Sequence, residues 1–222
     1  MIWPSSRLAL TLFLTLISSL MNLGVASAEI IPDNSLGSEN SRTRLDTIKN
    51  TPSDVIEGGA SRGSNLFHSF REFSIKEGRG AYFANPDAIQ NIFTRVTGGR
   101  ASNILGTLGV LGNANLFLIN PNGIIFGPNA RLDMRGAFLG STADSLVFDN
   151  NFEFSATNPD APPLLTVNMP IGLRFREKAA DINSLATLAT PGNLTLQAGN
   201  LNLSGSLISR GDITLEALDT LT

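Results

Sequence analysis

The heptapeptide Gly192-Asn193-Leu194-Thr195-Leu196-Gln197-Ala198 returns 19 residues later as Gly211-Asp212-Ile213-Thr214-Leu215-Glu216-Ala217, keeping both inward apolar positions and the threonine between them. Leu201-Asn202-Leu203 and Leu207-Ile208 stand between the copies, so each period holds three short apolar strands separated by Gly, Asn or Ser. A period of this size predicts a coil of a parallel β-helix. Spacing alone also permits a sandwich of short hairpins. Such a sandwich gives no reason for an equivalent position every 19 residues. Coils stacked about 4.8 Å apart set the matching Leu or Ile side chains directly above one another.

The strongest turn upstream lies in Asn115 to Asn129, where two apolar runs are hinged on Asn120-Pro121-Asn122-Gly123. Pro121 presets φ near about −65°, Asn122 tolerates bridge or left-handed backbone, and Gly123 takes positive φ without steric cost. Leu116 to Ile119 and Ile124 to Phe126 are uncharged and suit strands buried on both faces. Short apolar triplets between glycines, Asn103 to Leu105 and Thr107 to Leu111, continue the style, as does Arg131 to Phe148. Proline clusters at Asn158-Pro159 and Ala161-Pro162-Pro163 mark a loop leaving the ladder, with Leu164 to Val167 and Ile171 to Phe175 as returning strands.

Nearer the amino terminus, Asn65 to Ile75 alternates like a strand, with Phe70 irregular and His68 on the polar face. Ile30-Ile31, Val55-Ile56 and Leu66-Phe67 read as short strands capping one end of the core, since repeat folds need caps. Asn85-Pro86-Asp87 forms a second Asn-Pro turn, and Ile89, Ile92, Phe93 and Val96 trace one face of a short helix of one or two turns. Residues 1–28 carry Arg7, an apolar run from Leu8 to Leu23 and small residues Ala26-Ser27-Ala28, which predicts a secretory signal peptide cleaved before Glu29. No later apolar segment in the sequence is long enough to hold the mature chain in a membrane.

With no cysteine and one histidine in 222 residues, thiol chemistry and multi-His metal sites lack material, and no metal or cofactor is expected. A net charge of −3 without a basic run argues against a nucleic-acid partner. The β-helix architecture also serves glycan lyases and hydrolases, which need paired carboxylates or acidic calcium ligands. Here the acidic residues Glu72, Glu77, Asp87, Asp133, Asp144, Asp149, Glu153 and Asp181 are scattered, so a glycan-active enzyme is the rival reading and a non-enzyme the preferred one. Arg210-Gly211-Asp212 spells an adhesion tripeptide, yet Gly211-Asp212 occupies the turn that Gly192-Asn193 holds one coil earlier.

Export, the repeat and Asn120-Pro121-Asn122-Gly123-Ile124 together resemble the amino-terminal secretion domain of filamentous-haemagglutinin-type exoproteins of two-partner secretion. The resemblance covers residues 29–190; the turn matches the family's second signature motif, and Asn85-Pro86 matches half of the first, where Asp87-Ala88 depart from it. The phrasing from Gly109 to Ile119 is similar to that of cyanobacterial members. The resemblance implies an all-β chain, a right-handed parallel β-helix with amino-terminal capping strands. It also implies recognition in the periplasm by the POTRA domains of an outer-membrane β-barrel transporter, with Asn85, Pro86, Asn120, Pro121, Asn122, Gly123 and Ile124 as motif residues that either the transporter reads or the fold alone requires. Residues 191–222 then begin the β-helical repeats of a truncated passenger, where a cell-surface or glycan ligand would bind, on a protein secreted or held at the cell surface.

Overall fold

A computed structural model of the chain describes residues 30–149, 152–162 and 169–222. The expected cleavage residues Ala26, Ala28 and Glu29 and the expected strand Leu164 to Val167 lie outside the described residues. The amino-terminal segment contributes β1 (Ile30–Pro32), the hairpin β2 (Ser41–Ile48) and β3 (Thr51–Gly58), and β4 (Ala60–Arg62). The first coil holds β5 (Asn65–Phe73) and β6 (Gly80–Phe83), the second β7 (Asn91–Val96), β8 (Ser102–Ile104) and β9 (Thr107–Val110), and the third β10 (Asn115–Ile119), β11 (Ile124–Phe126) and β12 (Arg131–Asp133). The fourth opens with β13 (Phe138–Ser141) and leaves the stack as β14 (Ser145–Phe148), β15 (Glu153–Ser155) and β16 (Pro170–Arg174). It resumes at β17 (Ile182–Ser184) and β18 (Leu188–Thr190). The last coils are β19 (Leu194–Leu203), bent across two faces, β20 (Leu207–Ser209) and β21 (Ile213–Leu221).

These strands wind a right-handed parallel β-helix with three faces. One face runs β5-β7-β10-β13-β19-β21, the second β8-β11-β17-β19, and the third β3-β6-β9-β12 followed by the pair β18-β20. The repeat is legible residue by residue in the ladder: Leu194 pairs with Ile213, Thr195 with Thr214 and Leu196 with Leu215. On the first face Leu66, Ile92, Leu116, Phe138 and Leu194 stack in register inside the helix. Each is at most 2% exposed, and full burial of such a side chain stabilises by about 1.5–3 kcal/mol. Stacked partners lie 26, 24 and 22 residues apart in the early coils and 19 in the last, so the coil tightens along the chain.

The amino-terminal end is closed. β1 pairs antiparallel with β5 and β2 antiparallel with β3, and β2 faces solvent with Arg42, Arg44 and Asp46. Charges along an edge strand discourage further pairing. On the second face Ile75 bridges Ile104, and the Ser74 hydroxyl accepts the Asn103 N–H, finishing the edge of β8.

Outside the first face a second core forms. Phe67, Phe93 and Phe117 are in register on successive strands, with ring centroids 5.2 and 4.8 Å apart. The antiparallel sheet β15-β14-β16 covers them through Leu146, Phe148, Phe154 and Leu173.

Three expectations are corrected. The segment expected as a helical turn or two over Asp87 to Val96 is instead a turn at Asp87-Ala88 followed by β7, all six residues of which are buried. Ile92 and Val96 face the inner core and Phe93 the outer one, so two-sided burial mimicked helical spacing. His68 is not on a polar face: it is fully buried, stacked on Phe70 and tilted against Phe83 inside the helix. The irregularity sensed at Phe70 is a bulge at Arg71, where Ile31 pairs with Glu72 but Pro32 with Phe70, and it turns both Phe70 and Phe73 inward. Finally, β11 is buried on one face only, because Ile125 is 36% exposed.

Candidate functional site

The turn after β10 lies at the corner where the first face passes to the second, and its polar groups are turned into the protein. Asn120 is fully buried. Its Nδ2 donates to the Arg100 carbonyl at 3.0 Å and to Ser102 Oγ at 2.9 Å, while Oδ1 accepts the Asn122 N–H at 2.9 Å. The backbone closes the same loop, with Gly123 N–H donating to the Asn120 carbonyl at 3.0 Å. Asn122 Nδ2 reaches back one coil to the Gly98 carbonyl at 2.7 Å. Gly123 has φ +111°, and a Cβ there would stand 3.2 Å from the Asp181 carbonyl oxygen of the next coil. Pro121 is buried and Ile124 enters the inner core. The turn thus ties three successive coils, with Asn120 and Asn122 bonded to Gly98, Arg100 and Ser102 below and the Ile124 N–H donating to the Asp181 carbonyl above at 3.2 Å.

Asn85-Pro86 occupies a different corner, between β6 and β7. Asn85 is half-buried and packs on the next coil, where a Cβ at Gly112 would approach its Oδ1 to 2.8 Å; its Nδ2 donates to the Pro86 carbonyl. Pro86, Asp87 and Ala88 are exposed. One corner precedes the first-face strands and the other follows them, so a strand of about five residues, on the order of 17 Å, separates the two motifs. The fold does not bring them together.

Sequence reasoning passed over two buried arginines. Arg95, in β7, is fully buried against the outer core. Its Nε donates to Ser69 Oγ at 2.9 Å, Nη2 to Ser35 Oγ at 2.8 Å and Nη1 to the Ser155 carbonyl at 2.9 Å, and the guanidinium lies 4.2 Å above the Phe154 ring. The same two hydroxyls donate on to Asp33, Ser35 at 2.6 Å and Ser69 at 2.7 Å, so a carboxylate answers the buried cation through a hydroxyl relay. Burial pushes the Asp33 carboxyl up, but hydrogen bonds from Ser35, Thr97 and Ser69 outweigh it and hold the group below the usual carboxylate range. Burial brings Arg95 down to about 10 against the opposing pull of Asp33 and Asp160. Arg62 donates to both Glu39 oxygens at 2.9 and 2.7 Å and to the Pro162 carbonyl at 3.1 Å. The signal was present in Asn91 to Val96, where one charge interrupts an otherwise uncharged run.

The carboxylates serve structural pairs. Asp144 meets Arg176, Glu153 meets Arg174, Asp54 meets Arg79 and Glu72 meets Arg100. Asp133 accepts Lys49 Nζ and the Tyr82 hydroxyl, which keep it below its ordinary range against the opposing effect of burial. Among the described residues no group of three or more His, Cys, Asp or Glu is placed to hold a metal ion, and no helix is long and apolar enough to cross a membrane.

A family model described as "TPS secretion domain" matches residues 28–220. The heme/hemopexin-binding protein of Haemophilus influenzae is 38% identical over 69 residues, which span 31% of this chain and 7% of that protein. The crystal structure of the HMW1 secretion domain from Haemophilus influenzae superposes with a TM-score of 0.53 at 24% identity. The match covers 80% of this chain and 42% of that one, and shows the same fold.

Proposed function

The chain belongs to the TPS secretion-domain family, the amino-terminal export module of two-partner-secretion exoproteins, and from that premise we propose how it is used. The POTRA domains of an outer-membrane β-barrel transporter read the chain while it is still extended in the periplasm, and the β-helix winds up only outside. The observation that carries this reading is the fate of Asn120. Both of its amide atoms are consumed within the folded corner, and Pro121, Gly123 and Ile124 are buried with it. A transporter that reads Asn120, Pro121, Asn122, Gly123 and Ile124 therefore meets them before folding, and the same groups then fix the corner. Asn85 and Pro86 are read in the same extended state; afterwards Asn85 packs on Gly112 while Pro86 stays exposed.

The proposed organisation is a signal peptide over residues 1–28, cleaved between Ala28 and Glu29, a secretion domain over 29–190 and the start of passenger repeats over 191–222. The product is released or held at the cell surface, and its passenger carries the cell-surface or glycan ligand. It is not read as a catalyst on glycans: Asp54, Glu153 and Asp144 are each paired with an arginine, whereas glycan cleavage needs two carboxylates facing one bond. Incubation with a polysaccharide panel checks this, and sustained release of reducing ends or unsaturated products overturns it.

The recognition reading is tested on the unfolded chain, where stability plays no part. Urea-unfolded Glu29 to Thr222, the N120A/P121A double variant and a scrambled chain are diluted onto immobilised periplasmic domains of the cognate transporter. Wild type is expected to bind at least tenfold more tightly than the double variant. Equal binding by the two assigns the motif to the fold alone, and wild-type binding no better than the scrambled chain removes the reading altogether.

A further inference from the structure

A solenoid is held by neighbours: each coil touches the one before and the one after, and stability is roughly a sum of local terms. Arg95 and Arg62 depart from that pattern in the same way. Each guanidinium joins a carboxylate of the amino-terminal cap to a backbone carbonyl of the external excursion. Arg95 reaches Asp33 through Ser35 and Ser69 and binds the Ser155 carbonyl, and its partners Ser35 and Ser155 each lie 60 residues away in sequence. Arg62 binds Glu39 directly and the Pro162 carbonyl, which is 100 residues away. The carbonyls come from the excursion that leaves the stack after β13, so neither arginine is complete until that segment has returned over the first face.

We propose that these two arginines are a closing lock, which makes the cap, the first coils and the excursion fold as one all-or-none unit rather than coil by coil. A buried cation that lacks its partners is costly, because nothing else there replaces the water it has lost. While the excursion is undocked, Arg95 keeps its water beside the uncovered rings of Phe67, Phe93 and Phe117, and the excursion can bury it only where the Asp33 relay is already in place to answer the charge. The first-face stack from β5 to β10 consequently stays reversible until Ser155 and Pro162 arrive. Taken with the export reading above, on which this consequence rests, the domain commits to its folded state only after residues through about Pro162 have crossed. Earlier coils remain able to slide.

The lock is tested on purified, refolded full chain without a transporter, so its failure and that of the recognition reading are separate results. Amide hydrogen exchange is followed in wild type and in D33N, which removes the cap charge. The Ala156 amide, which donates to the Asp144 carbonyl inside the excursion, is the reporter. The lock predicts that D33N speeds exchange at Ala156 at least tenfold, although Asp33 and Ala156 belong to different segments. It also predicts little change at Leu194, whose amide lies beyond the lock and donates to the Asp212 carbonyl. Should D33N fail to refold, S35A removes one arm of the relay and keeps the charge, with the same pattern expected at smaller size. Exchange at Ala156 that is unchanged by either substitution, with the Asp33 loop itself loosened, overturns the proposal.

Discussion

At the scale of single residues, the polar groups that matter are the ones taken out of water. Asn120 is the sharpest case, because its Nδ2 donates to two acceptors, the Arg100 carbonyl and Ser102 Oγ. N120D keeps the shape but points a carboxylate oxygen at that carbonyl, so it is expected to lose more than N120A, which should cost about 1–3 kcal/mol as an unsatisfied buried site. Urea titration of the refolded variants checks the order. At Gly123, φ +111° lies where side chains are strained, and G123A should cost about 1–3 kcal/mol by the same measurement. His68 makes a different prediction. Burial brings it to about 3 from an ordinary 6.5, and its Nδ1 lies 2.9 Å from Ser41 Oγ. The folded state therefore holds it neutral while the unfolded chain takes up a proton, so stability is complete above about pH 6.5 and falls as the pH drops toward the folded value. Asp33 sheds its contribution only below the ordinary carboxylate value of 3.8. Between pH 6.5 and 5 the histidine dominates, and wild type should lose about 2 kcal/mol there. H68L should lose far less over the same interval, as measured by urea denaturation at the two pH values.

At the scale of strands and turns, what the sequence discloses depends on how local the cause is. The register of β21 on β19 was readable because identical chemistry recurs at a fixed interval, and the corner at Asn120 was readable because Pro and Gly impose their backbone angles wherever they stand. β7 was misread because a strand buried on both sides has no polar face, and its apolar residues then fall at helical intervals by accident. The bulge at Arg71 and the inward turn of His68 depend on how β1 lies across β5, a long-range fact with no local signature. The external sheet was visible only as prolines and returning strands. Its task, to cover Phe67, Phe93 and Phe117, has no local signature, since an apolar strand carries no mark of which apolar face it covers. That task carries a prediction of its own. Phe148 touches both Phe67 and Phe93, at 6.0 and 5.5 Å between ring centroids, and is fully buried. F148A should cost about 3–5 kcal/mol, whereas I125T on the solvent side of β11 should stay within about 0.5 kcal/mol.

At the scale of the whole molecule, two kinds of stability are joined end to end. From β1 to the excursion the chain has an inner core, an outer aromatic core and the two arginine ties. Beyond β17 the coils have an inner core alone, and the residues of β21 are half-buried or exposed. Neighbour-only coupling lets such coils open separately, whereas the doubly cored part must open together. Unfolding in urea should therefore take two steps, with amide exchange in β21 and the first half of β19 released first and that in β7 and β10 last. L196A, inside the last coils, should move the first step by about 2–5 kcal/mol and leave the second in place. F93A should weaken the second step, because Phe93 lies against Phe67, Phe117 and Phe148 at once. A single transition displaced equally by both substitutions would mean that the regular coils are as tightly bound to the rest as the rest is to itself. The asymmetry suits a secretion domain. A firmly closed amino-terminal end supplies a finished edge, on which each further coil is laid down in register with the last.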